Sequence, residues 1–310
     1  MFFFSRIPTG VWYRFAWPLY GVSIALLLSV LVIGEEVNGA RRWINLAGIQ
    51  FQPSEIAKFT MILLFARLTR LYGQDAKTFR HGVLGFGLAL MGILVPLALE
   101  KHLSAIMLMG MVAVVMMFVA GTRTRWLLAG AGAAAVFVVV YISFMGYAGD
   151  RVTAWLHPEL DPGDTGYQIL QSLYAIGSGG LFGLGYGKSR QKYLYLPFQY
   201  NDYIFAVICE ELGLVGAMAI VALFAVTILR GYWIALNARD RFSTVLAAGL
   251  VTLIAVQTIL NLCVVTNLLP STGIALPFFS YGGTALAVNL GEMGIVLNIS
   301  RKRTIQEANT

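Results

Sequence analysis

What most constrains this chain is a series of apolar runs, several of them long enough to cross a lipid bilayer. A spanning helix needs about 20 predominantly apolar residues. Runs of that order extend from Phe15 to Gly34, Gly82 to Leu99, Leu103 to Gly121, Leu127 to Gly146, Tyr203 to Leu229, Thr244 to Val265 and Gly283 to Ile299, with a weaker one from Ile56 to Leu68. Lipid offers the backbone no hydrogen-bond partners, so such runs must satisfy themselves as helices. The expected fold class is therefore all-α: a polytopic helical membrane protein of about eight spans, forming one integral membrane domain over residues 1–310. Composition agrees. Only 12% of the residues are charged and 58% are hydrophobic, whereas soluble domains carry about a quarter charged residues. That excludes a soluble enzyme, a disordered chain and a nucleic-acid partner.

The scarce charge is informative in its placement. The net charge is +7, and the basic residues gather in alternate loops: Arg6 and Arg14; Arg67, Arg70, Lys77 and Arg80; Arg123 and Arg125; Arg230, Arg239 and Arg241; Arg301, Lys302 and Arg303. By the positive-inside rule these loops are cytoplasmic, so both termini are expected inside. Glu35, Glu36, Glu100, Asp150, Glu159, Asp161, Asp164 and Asp202 fall on the opposite side, with a large outer loop at about 147–201. The start, Met1 to Arg6, lacks the form of a signal peptide. Cys209 and Cys263 lie in apolar stretches and read as small buried hydrophobes. The two halves do not echo each other, which weakens an inverted-repeat transporter.

Four segments are not written as plain connectors. The first, Asn38 to Asn45 and then Gln52 to Lys58, places Arg41, Arg42 and Trp43 at the outer surface, with Glu55 and Lys58 one helical turn apart. An interfacial anchor with an i, i+3 pair explains it; so does a cationic site for phosphate. The second runs from Gly166 through the glycines of Gly177–Gly187 to Lys188, Arg190 and Lys192. It reads either as a structured outer cap or as a weak phosphate cradle. In the third, Asp202 stands where a polar loop meets an apolar helix and reads as a helix cap or a functional acid. Glu210 and Glu211 follow about 12 Å deeper. Ionisable residues in a span are functional candidates by default, and Glu292 in the last span has the same two readings, functional or structurally paired. The fourth, Asn267 to Thr284, has Pro270, Pro277 and three glycines in an apolar stretch. It reads as a re-entrant or broken helix, which survives only against protein or a wet cavity.

Together, in order, Asn38–Trp43, Pro53–Lys58, Gly166–Ser172, Ala175–Gly187, Asp202–Gly213 and Pro270–Gly283 resemble the SEDS family of cell-wall polymerases, the RodA, FtsW and SpoVE type. Glu100–Ser104 and Gln52–Glu55 look closer to the FtsW and SpoVE branch. The resemblance implies a peptidoglycan glycosyltransferase in the bacterial cytoplasmic membrane, serving division, elongation or sporulation. It implies lipid II as substrate, a class B penicillin-binding transpeptidase as partner, and other cell-wall or divisome membrane proteins nearby. It matches the family's critical aspartate to Asp202.

In that reaction the 4-hydroxyl of one sugar attacks C1 of another and expels a lipid diphosphate, turning an α linkage into a β one. Asp202 is the candidate general base. Arg42, Lys58, Lys188, Lys192 and, more weakly, Arg151 are candidate diphosphate holders. Glu55, Glu210, Glu211 and Glu292 are intramembrane candidates of structural or functional role. No metal ligand set is evident, and a divalent cation is left open as cofactor. The family usually has ten spans; here the first is missing and Met1–Ser5 looks like the end of the second. Phe198 after Pro197 and Asn201 before Asp202 also depart from its pattern. The rival readings are a lipid II flippase and a non-catalytic scaffold for a transpeptidase.

Overall fold

The apolar runs fold as helices. The computed structural model describes residues 1–37, 40–46, 49–132, 153–160, 165–191 and 200–307. In chain order its main helices are α1 (Phe2–Arg6), α2 (Thr9–Ile33), α3 (Pro53–Tyr72), α4 (Phe86–Leu99), α5 (Leu103–Val119), α6 (Thr165–Gly179), α7 (Ile204–Leu236), α8 (Arg241–Val265) and α9 (Gly283–Glu307). Among the described residues, four helical stretches are long and apolar enough to cross a membrane: Thr9–Ile33, Arg80–Leu99, Ile204–Leu236 and Arg241–Val265. The run Leu127–Gly146 lies mostly outside the described residues.

The all-α expectation needs one correction. Three short strands, β1 (Glu35–Val37), β2 (Ala40–Leu46) and β3 (Ile49–Phe51), form a small antiparallel sheet in the order β1-β2-β3. Val37 pairs with Ala40 and Leu46 with Ile49. Asn38-Gly39 stands between the first pair, and Asn-Gly between strand formers is the strongest short hairpin signal in a sequence.

The chain divides into two compact units. The first holds Met1–Ala131, Ile228–Val256 and Gly282–Thr310; the second holds Gly132–Thr227 and Gln257–Tyr281. In the first, α3 is the buried axis. Pro53 opens it at a position where the missing N–H costs nothing. Met61, Ile62, Leu63, Leu64 and Phe65 are all buried, so the helix is covered on every side. Its polar Thr60 is satisfied by Ser23 of α2, with the hydroxyls 2.8 Å apart. The run from Ile56 to Leu68 is less apolar than the others because the helix buries polar residues, Lys58 and Thr60 among them.

In the second unit, α7 breaks at Gly213, whose φ is 67° and ψ −170°. The backbone groups freed by the break are taken up locally: Leu214 N–H donates to the Gly180 carbonyl at 2.9 Å and Val215 N–H to the Leu181 carbonyl at 3.1 Å. A Cβ on residue 213 would stand 2.5 Å from the Leu181 oxygen. Gly213→Ala therefore combines a disfavoured φ with a backbone clash. It is expected to destabilise the protein by roughly 2 kcal/mol or more, read as a lower melting temperature of the detergent-solubilised chain. Beyond the break, Leu214, Val215, Met218, Leu223, Val226 and Leu229 are all exposed, the pattern of a lipid-facing helix.

Of the stretch expected to be a re-entrant or broken helix, 267–284, residues 267–282 are irregular and the last two open α9. Its polar groups are met by protein. Ser280 Oγ donates to the Asn201 carbonyl at 2.6 Å, and Tyr281 N–H to the Tyr200 carbonyl at 2.7 Å.

Candidate functional sites in the two units

In the first unit, α3 brings Glu55 and Lys58 onto one face, with Lys58 Nζ 2.8 Å from Glu55 Oε1. Both side chains are buried. Glu292 of α9 is only 1% exposed, and neither of its carboxylate oxygens has a hydrogen-bond partner. Its charged neighbours are Lys58 and Glu55. Two acids thus share one lysine inside an apolar body. Arg42, on β2, donates from Nη2 to the Lys101 carbonyl at 2.6 Å.

Lys101 belongs to the turn between α4 and α5, where its φ is +54°. Its neighbours in sequence, Glu100 and His102, are both buried, with Glu100 Oε1 and His102 Nδ1 lacking partners. Sequence reasoning used this turn as a family marker and Glu100 as an outward-side charge, and missed the pair as site residues. The available signal was two titratable groups bracketing the end of one apolar run and the start of the next. Burial raises the Glu100 carboxyl from 4.5 to about 8, against the pull of Arg42. His102 is lowered from 6.5 to about 3, chiefly by burial and then by Arg42 and Lys58.

The signs of these two shifts are opposite. Glu100 keeps its proton in the folded chain between about 4.5 and 8, so its contribution to stability is present at low pH and lost as pH rises through about 8. His102 resists protonation, so its contribution is present above about 6.5 and lost as pH falls through about 3. In melting measurements from pH 5 to 9, the wild type is expected to lose stability relative to Glu100→Gln as the pH rises. Parallel curves would show that Glu100 titrates normally.

In the second unit, Asp202 is half-buried in the turn that leads into α7. Asn261 of α8 fixes this turn: its Nδ2 donates both to the Asp202 carbonyl at 2.7 Å and to the Ile274 carbonyl at 2.8 Å. Tyr203 Oη lies 3.5 Å from Ser271 Oγ. The carboxylate approaches Gly273, where an added Cβ would stand 3.3 Å from Asp202 Oδ2; the Gly273 φ of +68° itself favours glycine. The sequence reading did not include Asn261. Its signal was an amide inside an otherwise apolar run.

Glu210 and Glu211, deeper in α7, are hydrogen-bonded to the loop that follows α6. Glu210 accepts from Arg190 N–H at 2.9 Å, Gln191 N–H at 3.3 Å and Ser189 Oγ at 2.5 Å. Glu211 accepts from Gly187 N–H at 2.9 Å and Ser189 N–H at 3.3 Å. Lys188 is exposed in this loop. In the segment before α7, the described residues include α6 and this anchored loop. Arg151 and Lys192 lie outside the described residues. The structure gathers Arg42, Glu55, Lys58 and Glu292 in the first unit, while Asp202, Lys188, Glu210 and Glu211 fall in the second. Among the described residues, no group of three or more His, Cys, Asp or Glu is arranged to hold a metal ion.

Four helical stretches long and apolar enough to cross a membrane, on a scaffold that also buries acids and bases, fit the class of multi-pass membrane proteins. The family model described as a cell cycle protein, of the FtsW, RodA and SpoVE type, matches residues 1–305. The chain belongs to that family. It is 41% identical over 299 residues to a probable peptidoglycan glycosyltransferase FtsW of Geobacter sulfurreducens, covering 96% of this chain and 80% of that protein. It is 39% identical over 305 residues to stage V sporulation protein E of Bacillus subtilis, covering 97% and 83%. Among solved structures, a chain from work on how a peptidoglycan synthase complex coordinates polymerization and crosslinking aligns with a TM-score of 0.83 and 31% identity, covering 97% of this chain and 85% of that one.

Proposed function

We propose that this chain polymerises lipid II into β-1,4 glycan strands at the outer face of the bacterial cytoplasmic membrane. Its class is peptidoglycan glycosyltransferase, an enzyme of cell-wall synthesis. The observation that carries the reading is the Asp202 turn: a half-buried carboxylate beside Gly273, with its backbone held by Asn261. A general base needs such fixed placement, since proton transfer is effective only within hydrogen-bond reach of the reacting hydroxyl.

In the step itself, Asp202 takes the proton of the acceptor 4-hydroxyl as its oxygen bonds to the donor C1. The C1–oxygen bond to the diphosphate breaks, and inversion gives the β linkage. Arg42 and Lys58 in the first unit, and Lys188, Lys192 and Arg151 in the second, are the candidate cations for the charge that develops on the leaving diphosphate. Glu55 supports Lys58 through their ion pair. The topology that goes with this reading has about eight spans, both termini cytoplasmic and the 147–201 segment outside, as the basic loops suggest. The partner is a class B penicillin-binding transpeptidase, in keeping with the synthase complex to which the chain is similar.

Glu292 favours one second reading. A buried, unpartnered carboxylate inside a span is what a transporter site uses. A lipid II flippase would move labelled lipid II between leaflets of a vesicle without forming product. Transport with no polymer would replace the polymerase reading; polymer without transport is the expected result.

A further inference from the structure

Glu210 and Glu211 lie just before the break in α7, and they hold one short loop almost completely. Besides the carboxylate contacts, their carbonyls accept from Leu184 N–H at 2.9 Å and Gly185 N–H at 3.0 Å. From Leu184 to Gln191 the loop is therefore tied at six backbone N–H groups and one hydroxyl. Ser189 is fully buried against the two glutamates, while Lys188 and Arg190 on either side of it are exposed. Anchoring the middle residue inward turns its two neighbours outward, so the arrangement displays a pair of cations.

The dependence runs both ways. Two adjacent buried carboxylates are costly unless their oxygens are met by donors, and here the loop supplies those donors. Releasing the loop would leave the acids bare, so the closed state holds itself in place. The same stretch of α7 begins two residues after Asp202, which ties the loop and the candidate base to one helical segment.

The geometry points to Glu210 and Glu211 as positioning residues that clasp the 184–191 loop and present Lys188 and Arg190 as a fixed cation pair to an anionic group of the substrate. This adds Arg190 to the residues handling the diphosphate, and it rests on the polymerase reading given above.

The test begins without that reading. In the detergent-solubilised full chain, the amides of Gly187, Ser189, Arg190 and Gln191 are expected to be protected from hydrogen exchange. Trypsin is expected to spare the bonds after Lys188 and Arg190. Glu210→Gln and Glu211→Gln, each checked for an unchanged elution profile, are expected to be cut there at least about tenfold faster, since local opening sets the cleavage rate. Rapid exchange in the wild type, or wild-type cleavage in folded variants, overturns the clasp. The second arm measures polymerisation of lipid II. The glutamine variants are expected to raise KM by about tenfold or more with a smaller change in kcat. Their effect should largely vanish in a Lys188→Ala/Arg190→Ala background, because all act through the same cations. Full additivity in that background overturns the positioning role. A protected loop in a chain that makes no glycan overturns the polymerase reading instead.

Discussion

Asp202→Ala is expected to lower glycan polymerisation by about 10²–10⁴-fold, the range that a positioned general base contributes, with little change in melting temperature. The structural reason for the second half is that the turn is held through its backbone. Asn261 donates to the Asp202 carbonyl, Ser280 to the Asn201 carbonyl and Tyr281 N–H to the Tyr200 carbonyl, and none of these is lost on truncating the side chain. Asp202→Asn is the sharper variant. It keeps size and hydrogen-bonding capacity but cannot take a proton, so it should be nearly as inactive as alanine. Its opposite would be Asn261→Ala, which keeps the carboxylate but frees the turn on which it stands; a partial loss is expected there. The turn lies at the N-terminus of α7, whose partial positive charge favours carboxylate and weakens it as a base. Half-burial opposes that. The pH profile of the wild type, set against the residual rate of Asp202→Asn, reports the balance.

The second large effect concerns the buried pair on α3. Lys58→Met removes the cation paired with Glu55 and leaves that carboxylate, with Glu292 beside it, uncompensated among apolar residues. Breaking a buried pair from one side costs about 3–5 kcal/mol, a drop in melting temperature that should be plain in detergent. Polymerisation should fall as well, because Lys58 is a candidate diphosphate cation. Stability and activity separate in Lys58→Met/Glu55→Leu. Replacing both members of a buried pair with apolar groups is often neutral, so this variant should regain much of the lost stability and none of the lost activity. Recovery of both would reduce Lys58 to a structural role.

Much of this molecule was legible in its sequence because lipid imposes a simple rule on long apolar runs. The runs from Phe15, Gly82, Leu103, Tyr203, Thr244 and Gly283 all became helices, although α2 begins at Thr9, before its run, and α7 and α9 continue past theirs to Leu236 and Glu307. The rule says nothing about the short segments between them. The hairpin of β1 and β2 was missed because Arg41, Arg42 and Trp43 were weighed for charge and anchoring, although Asn38-Gly39 carried the turn signal. The site was legible in residue type and less so in partnership. Glu210 and Glu211 were marked by their cost in a span, but that their donors would be the amides of the 187–191 loop depends on the break at Gly213, a tertiary feature. Glu100 and His102 were visible as residues, while their burial beside Arg42 was not. Asn261 was passed over because one amide in a long apolar run barely alters its hydropathy.

The role of Asp202 in a lipid II polymerase is read out by incubating the purified chain and a class B transpeptidase with labelled lipid II and resolving the products on a gel, wild type beside Asp202→Ala. Under the polymerase reading, the wild type yields a ladder of glycan strands that collapses on digestion with a β-1,4-specific muramidase, and the variant yields none. A ladder of equal intensity from Asp202→Ala, or unpolymerised lipid II from a folded wild type, would contradict it.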